Sequence, residues 1–250
     1  MSQAQSETAR PRESGPLAET LVPYGGLRYG LRYGVLGRVI GVVPTPRRNR
    51  FALGYLLVLL GTTLFARCAD PDLVHRLQAI SSTDGHNLLH RPIVSLLCSG
   101  LWVAGPLWMP YLWAFALTVA PLERRVGAWR AAAVFAAGHV IATLISQAVV
   151  AIAVATGSMG DAALDSLDIG VSYGVLASLG ALAGLLRPGG RVVALGVAAV
   201  MIGHQLADGT DLVTGVGHPV ALLVGVGLWR WLRGGPRAPW RLRRLVLAGA

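Results

Sequence analysis

The chain has 250 residues, of which 54% are apolar and only 14% charged, and its mean hydropathy is +0.56. A soluble domain of this length carries about 25% charge, so water is excluded as the main solvent and a soluble enzyme is excluded with it. The net charge of +10 comes from 22 arginines and no lysine, a bias that reads as genome base composition, so no nucleic-acid partner is expected.

Residues 1–50 form a basic N-terminal tail. The first 20 (MSQAQSETARPRESGPLAET) are polar and contain proline, and they cannot bury enough apolar surface to order themselves. The tail is too long and too charged for the n-region of a cleavable signal peptide, so the first span is expected to stay as a signal anchor. Its tandem LRYGLRYG at 27–34, followed by Arg38, Arg47, Arg48 and Arg50, reads as a positive-inside flank. Arg and Tyr also suit it to lie on an anionic membrane surface.

Six apolar spans follow, at roughly 51–66, 105–120, 131–155, 170–186, 192–206 and 215–232. Helices of about 20 residues rising about 1.5 Å each cross a hydrocarbon core of about 30 Å, and the fifth span is short by that measure. The expected fold is an all-α, six-helix, multi-pass membrane bundle over 51–232, with a basic tail at 233–250. The connection 67–104 is long. It holds the polar stretch SSTDGHNLLHRP and then IVSLLCSGLWVA, a candidate re-entrant or interfacial segment. Cys68 and Cys98 sit beside or inside apolar segments, and two cysteines so placed give no disulfide framework.

Arginine placement sets the expected orientation, because positive loops stay in the cytoplasm. Arg47, Arg48 and Arg50 precede span one; Arg124, Arg125 and Arg130 follow span two; Arg187 and Arg191 follow span four. Arg230, Arg233, Arg237, Arg241, Arg243 and Arg244 close the chain. The alternate loops carry Asp161, Asp165, Asp168, Asp208 and Asp211 instead. Both termini are therefore expected in the cytoplasm. The first loop, with Arg67, Arg76 and Arg91, is the exception.

Chemistry concentrates at two helix beginnings. Span four opens GVSYGVLASLGALAG, with Gly170, Gly174 and Ser178, then Gly180 and Gly184, at spacings that let backbones approach closely. Ser172 falls in its first turn, where unpaired amides and the positive dipole end favour an oxyanion; Asp168 is expected as its N-cap. Span six opens GVGHPVALLVGVG, with His218 one turn in and Ala221 and Gly225 on a small-residue face. The two spans run in the same direction, which sets Ser172 and His218 at matching depth, as a serine–histidine dyad requires. His139 and Gln147 on span three and His204 and Gln205 on span five are further intramembrane polar candidates.

These features, together with PLERRVGAWR after span two, resemble the rhomboid family of intramembrane serine proteases across residues 51–232. The resemblance implies Ser172 as nucleophile, His218 as general base, and Glu123 with Arg124 as a structural turn. It also implies structural glycines at Gly170 and Gly174, with no metal or cofactor. The substrates it implies are membrane-anchored proteins cut near their helix tops in the cell membrane. Three positions depart from the family pattern: Tyr173 replaces the glycine after the serine, Leu107 and Tyr111 stand where the family has an HxxxN pair, and Leu176 replaces an aromatic. Tyr111, Tyr173 and His204 are candidate oxyanion or support residues. Two rival readings remain, an inactive rhomboid-like protein binding client or partner helices, and a small transporter or scaffold, for which neither internal repeats nor mid-membrane helix breaks are visible.

Overall fold

The computed structural model describes residues 44–103 and 109–234. The LRYGLRYG repeat, Leu107 and the arginines from Arg237 onward therefore lie outside the described residues. The helices are α1 (Arg50–Cys68), α2 (Pro71–Ser81), α3 (Gly85–His90), α4 (Pro92–Ser99) and α5 (Met109–Ala114). A π-helical turn, Phe115–Val119, joins α5 to α6 (Ala120–Val126); then come α7 (Ala128–Ala155), a 3-10 turn at Asp161–Asp165, α8 (Ser172–Leu185), α9 (Pro188–Ala207), α10 (Leu212–Gly227) and α11 (Trp229–Gly234).

The all-α membrane bundle is as expected, and the count of six is matched less closely. Four helices are long and apolar enough to cross a membrane, α1, α7, α9 and the stretch Leu212–Gly234. Helix α8 has 14 residues, about 21 Å of rise against a core of about 30 Å. The second span is assembled from α5, the π turn and α6. The fifth is longer than expected, 20 residues, because Pro188 opens it at N1 four residues before the apolar run.

The long first connection is three short helices, and two of its aspartates are their caps. Asp70 accepts from the Leu73 amide at 3.0 Å and starts α2 with Pro71 at N1; Asp84 accepts from the Asn87 amide at 2.8 Å and starts α3. Two side chains of α1 hold the far end of this connection: Tyr55 donates to the Gly100 carbonyl at 2.7 Å and Thr62 to that of Leu101 at 2.6 Å. Phe51, Tyr55, Phe115 and Phe135 interlock beside them at edge-to-face, tilted and stacked angles, with centroids 4.9–5.9 Å apart.

Helices α7, α8 and α10 form the centre, and the glycine pattern is what lets them touch. A Cβ at Gly138 would overlap Ala177, one at Gly180 the Leu222 carbonyl, and one at Gly225 the Ala177 carbonyl. Without lipid-versus-protein hydrophobic contrast, such close packing is the main adhesive between spans. Helix α9 is peripheral: it buries only Ala198 and Ile202, and leaves Val192, Val193, Val197 and Val200 exposed.

Side chains tie down the end of α8, adding to carbonyls already bonded at Gly180 and Ala183 and meeting that of Gly184, whose helical donor would be Pro188. Trp229 donates its ring N–H to Gly180 at 2.7 Å, Arg233 donates twice to Gly184 at 2.8 and 3.1 Å, and Arg191 donates to Ala183 at 3.3 Å. The two guanidinium groups lie 5.1 and 5.3 Å from the Trp229 ring centroid. The arginines that read as flanking charge thus also finish a helix.

Candidate functional site

The serine end of α8 is shaped by Gly170, whose φ of 133° is closed to residues with a Cβ. Its amide donates to the Ser99 carbonyl at 3.0 Å, so the turn is pinned to the end of α4. The chain then enters α8 at Ser172, with Val171 as an N-cap that offers no side-chain bond, and among the described residues no side chain accepts from the first amides of α8. Half-buried Ser172 is therefore beside the amides that a helix start leaves without intrahelical acceptors.

The expectation that Asp168 caps α8 is corrected. It lies three residues too early, and the Gly170 turn directs it to the first connection instead. Its carboxylate accepts from Thr83 Oγ1 at 2.9 Å and Gln147 Nε2 at 3.1 Å, its amide donates to Ser82 Oγ at 2.9 Å, and its carbonyl accepts the Thr83 amide at 2.9 Å. Asp168 is a clasp between the first connection, α7 and the lead-in to Ser172. Burial raises its carboxyl pKa above the ordinary value, with Asp211 and Asp84 adding to the rise and the Gln147 and Thr83 bonds opposing it. A carboxyl raised in the fold contributes stability that is complete below its unfolded pKa and lost as pH climbs through the folded one. Asp168→Asn keeps an acceptor and removes the buried charge, so it is expected to melt higher than wild type at pH 8 and to lose that advantage near pH 4. Equal melting temperatures at pH 8 would contradict this.

His218 is buried on α10, and Pro219 after it leaves the Gly215 carbonyl without its usual helical donor. The residues flanking the expected pair touch. Tyr173, next to Ser172, occupies the space where Gly217, next to His218, lacks a side chain, and its hydroxyl donates to the Val213 carbonyl at 3.1 Å. The Tyr173 ring stands edge to face against His218, centroids 5.6 Å apart at 84°. Among the described residues no hydrogen bond joins Ser172 to His218; the imidazole Nδ1 meets Gln205 Oε1 on α9 at 2.7 Å.

The remaining candidates divide. Tyr111 packs half-buried against the Phe115 cluster, and Leu176 is buried with Tyr173, Ala142 and Ala221. His204 faces outward and pairs with Asp208 one turn on, at 2.6 Å. His139 Nε2 is within 3.1 Å of both Ser99 Oγ and the Leu96 carbonyl, fastening α4 to α7. Gly174 faces Phe135 so closely that a Cβ would collide with the ring. Glu123, buried, accepts from the amides of Phe51 and Ala52 at 2.9 Å each, while Arg124 donates to Asn49 at 3.2 Å. Sequence reasoning had no signal for Ser82, Thr83 and Ser99, which act through partners at least 40 residues away.

A model of a family described as rhomboid-like protein matches residues 47–238, from the arginines ahead of α1 to beyond Arg233. The chain belongs to the rhomboid-like family. No curated protein and no solved structure gives a significant match. A rhomboid-like, multi-pass membrane protein is thus the identity that sequence, fold and family agree on. The expected turn at Glu123 and Arg124 is corrected: both lie in helix α6, and from there Glu123 caps the start of span one.

Proposed function

We propose that this rhomboid-like protein is an intramembrane serine endopeptidase, with Ser172 as nucleophile and His218 as general base, acting on membrane-anchored proteins. The observation that carries the reading is the contact of Tyr173 with Gly217, which makes Ser172 and His218 the sequence neighbours of two touching residues on adjacent helices. The start of α8, whose N-cap Val171 has no side-chain acceptor to offer, supports the second requirement. In this chemistry His218 takes the Ser172 hydroxyl proton as Oγ attacks the scissile carbonyl, and helix-start amides hold the oxyanion. The proton passes to the leaving amine, and water then hydrolyses the acyl-enzyme with His218 again as base. The arginine pattern supports a cell-membrane orientation with both termini cytoplasmic and Ser172 near the opposite face.

A second reading, a catalytically inactive protein holding client helices, is favoured by Tyr173, whose ring lies against His218 where the family has a glycine. Labelling of purified protein by a fluorophosphonate separates the two. The peptidase reading expects wild type to label and Ser172→Ala and His218→Ala to stay dark. A dark wild type beside an active rhomboid control would favour client binding.

A further inference from the structure

The partner on one nitrogen of a histidine decides which nitrogen carries the proton, and therefore what the other can do. For His218 that partner comes from the peripheral helix α9. Gln205 Oε1 is 2.7 Å from His218 Nδ1. An amide oxygen only accepts, so Nδ1 carries the proton and Nε2 keeps its lone pair. No hydrogen bond engages Nε2 among the described residues, and the Tyr173 ring packs edge to face with the imidazole, limiting its rotation. The adjacent His204 is occupied by Asp208 and faces away, so Gln205 is the α9 side chain that reaches the site.

We infer that Gln205 is a positioning residue for His218, fixing its Nδ1–H tautomer so that Nε2 faces the serine as the base. Its effect on rate rests on the peptidase reading; its effect on the tautomer does not. The site then has three members, Ser172, His218 and Gln205, where the resemblance to rhomboid proteases implies two. A neutral amide orients the ring as a triad carboxylate does, without adding a charge inside the membrane.

The test uses full-length protein labelled with 15N-histidine in detergent or nanodiscs at pH 8, with the His218 signals assigned by their loss in His218→Ala. Wild type is expected to show a protonated Nδ1 and an unprotonated Nε2. Gln205→Met, similar in size but without the acceptor, is expected to move the proton to Nε2, the site favoured by free imidazole side chains. Gln205→Glu, which still accepts, is expected to keep it on Nδ1, and this rescue separates positioning from a general packing defect. In parallel, fluorophosphonate labelling of Gln205→Met is expected to fall by at least about tenfold, since a wrong tautomer removes the base. An Nε2–H wild type, or a tautomer unchanged in Gln205→Met, overturns the inference, as does undiminished labelling of that variant. A wild type with the expected tautomer that never labels upholds the positioning role and removes the peptidase reading instead.

Discussion

Gly225→Ala is expected to destabilise the bundle by about 3 kcal/mol, the upper part of the usual range for overpacking. The added Cβ would overlap the carbonyl oxygen of Ala177 and lie 2.7 Å from the amide nitrogen of Ala181. Both are backbone atoms of α8, so no rotamer change can make room, and the two helices must separate. Separation exposes the surfaces around Ala177, Ala181 and Ala221, all fully buried, and it moves the helix bearing His218 away from the one bearing Ser172. Gly203→Ala is the matched control. It is also mid-helix but meets nothing within 4 Å, so it is expected to be neutral or to stabilise by up to about 1 kcal/mol through helix propensity. Thermal unfolding of the three proteins in one detergent reads both. If Gly225→Ala melts with wild type, the close α8–α10 contact is not what holds these helices.

That close packing is legible in the amino-acid sequence, and the reason is physical. Glycine is costly in a helix, and the glycines recurring through Gly174, Gly180, Gly184 and Gly225 each meet a neighbouring backbone or a large ring, whereas Gly54, Gly61, Gly196 and Gly203, outside that pattern, meet nothing within 4 Å. The ring partners themselves are not legible, because Tyr173 on Gly217 and Phe135 on Gly174 join residues on different helices, and spacing along one helix says nothing of its neighbour's register. The role of Asp168 escapes for the same reason. Capping rules look a few residues ahead, whereas its partner Thr83 is 85 residues away.

Neighbours on one helix show the limit most sharply. His204 and Gln205 are adjacent polar residues at the end of α9, and they face about 100° apart because a turn takes 3.6 residues. One meets Asp208 and the other meets His218. Apolar residues surround α9 on every side, so its sequence carries little periodicity to say which direction faces the bundle. Polar type alone marks both as candidates, and packing chooses between them.

Glu123→Ala is expected to cost about 3 kcal/mol or more, through a contact made from helix α6 that the sequence PLERRV suggests only in outline. Helix α1 begins without a side-chain cap of its own, since Asn49 makes no such bond. Its first amides are met from another helix, by both oxygens of Glu123 at 2.9 Å. Hydrogen bonds to a charged acceptor contribute about 1.5–3 kcal/mol each, and the carboxylate also faces the positive end of the α1 dipole. Asn49, freed from capping its own helix, donates to the Ala120 carbonyl at 2.8 Å and accepts from Arg124 at 3.2 Å. The start of span one and the end of span two are thereby closed on each other by reciprocal bonds. Alanine leaves one buried and one part-buried amide without an acceptor. Glutamine keeps one oxygen but turns an NH2 toward the second amide, so Glu123→Gln is expected to lie between alanine and wild type. The ordering wild type, then glutamine, then alanine should appear in detergent melting temperatures and in protease resistance at the Arg47–Arg50 segment. Alanine matching wild type in both would remove Glu123 as the cap of span one.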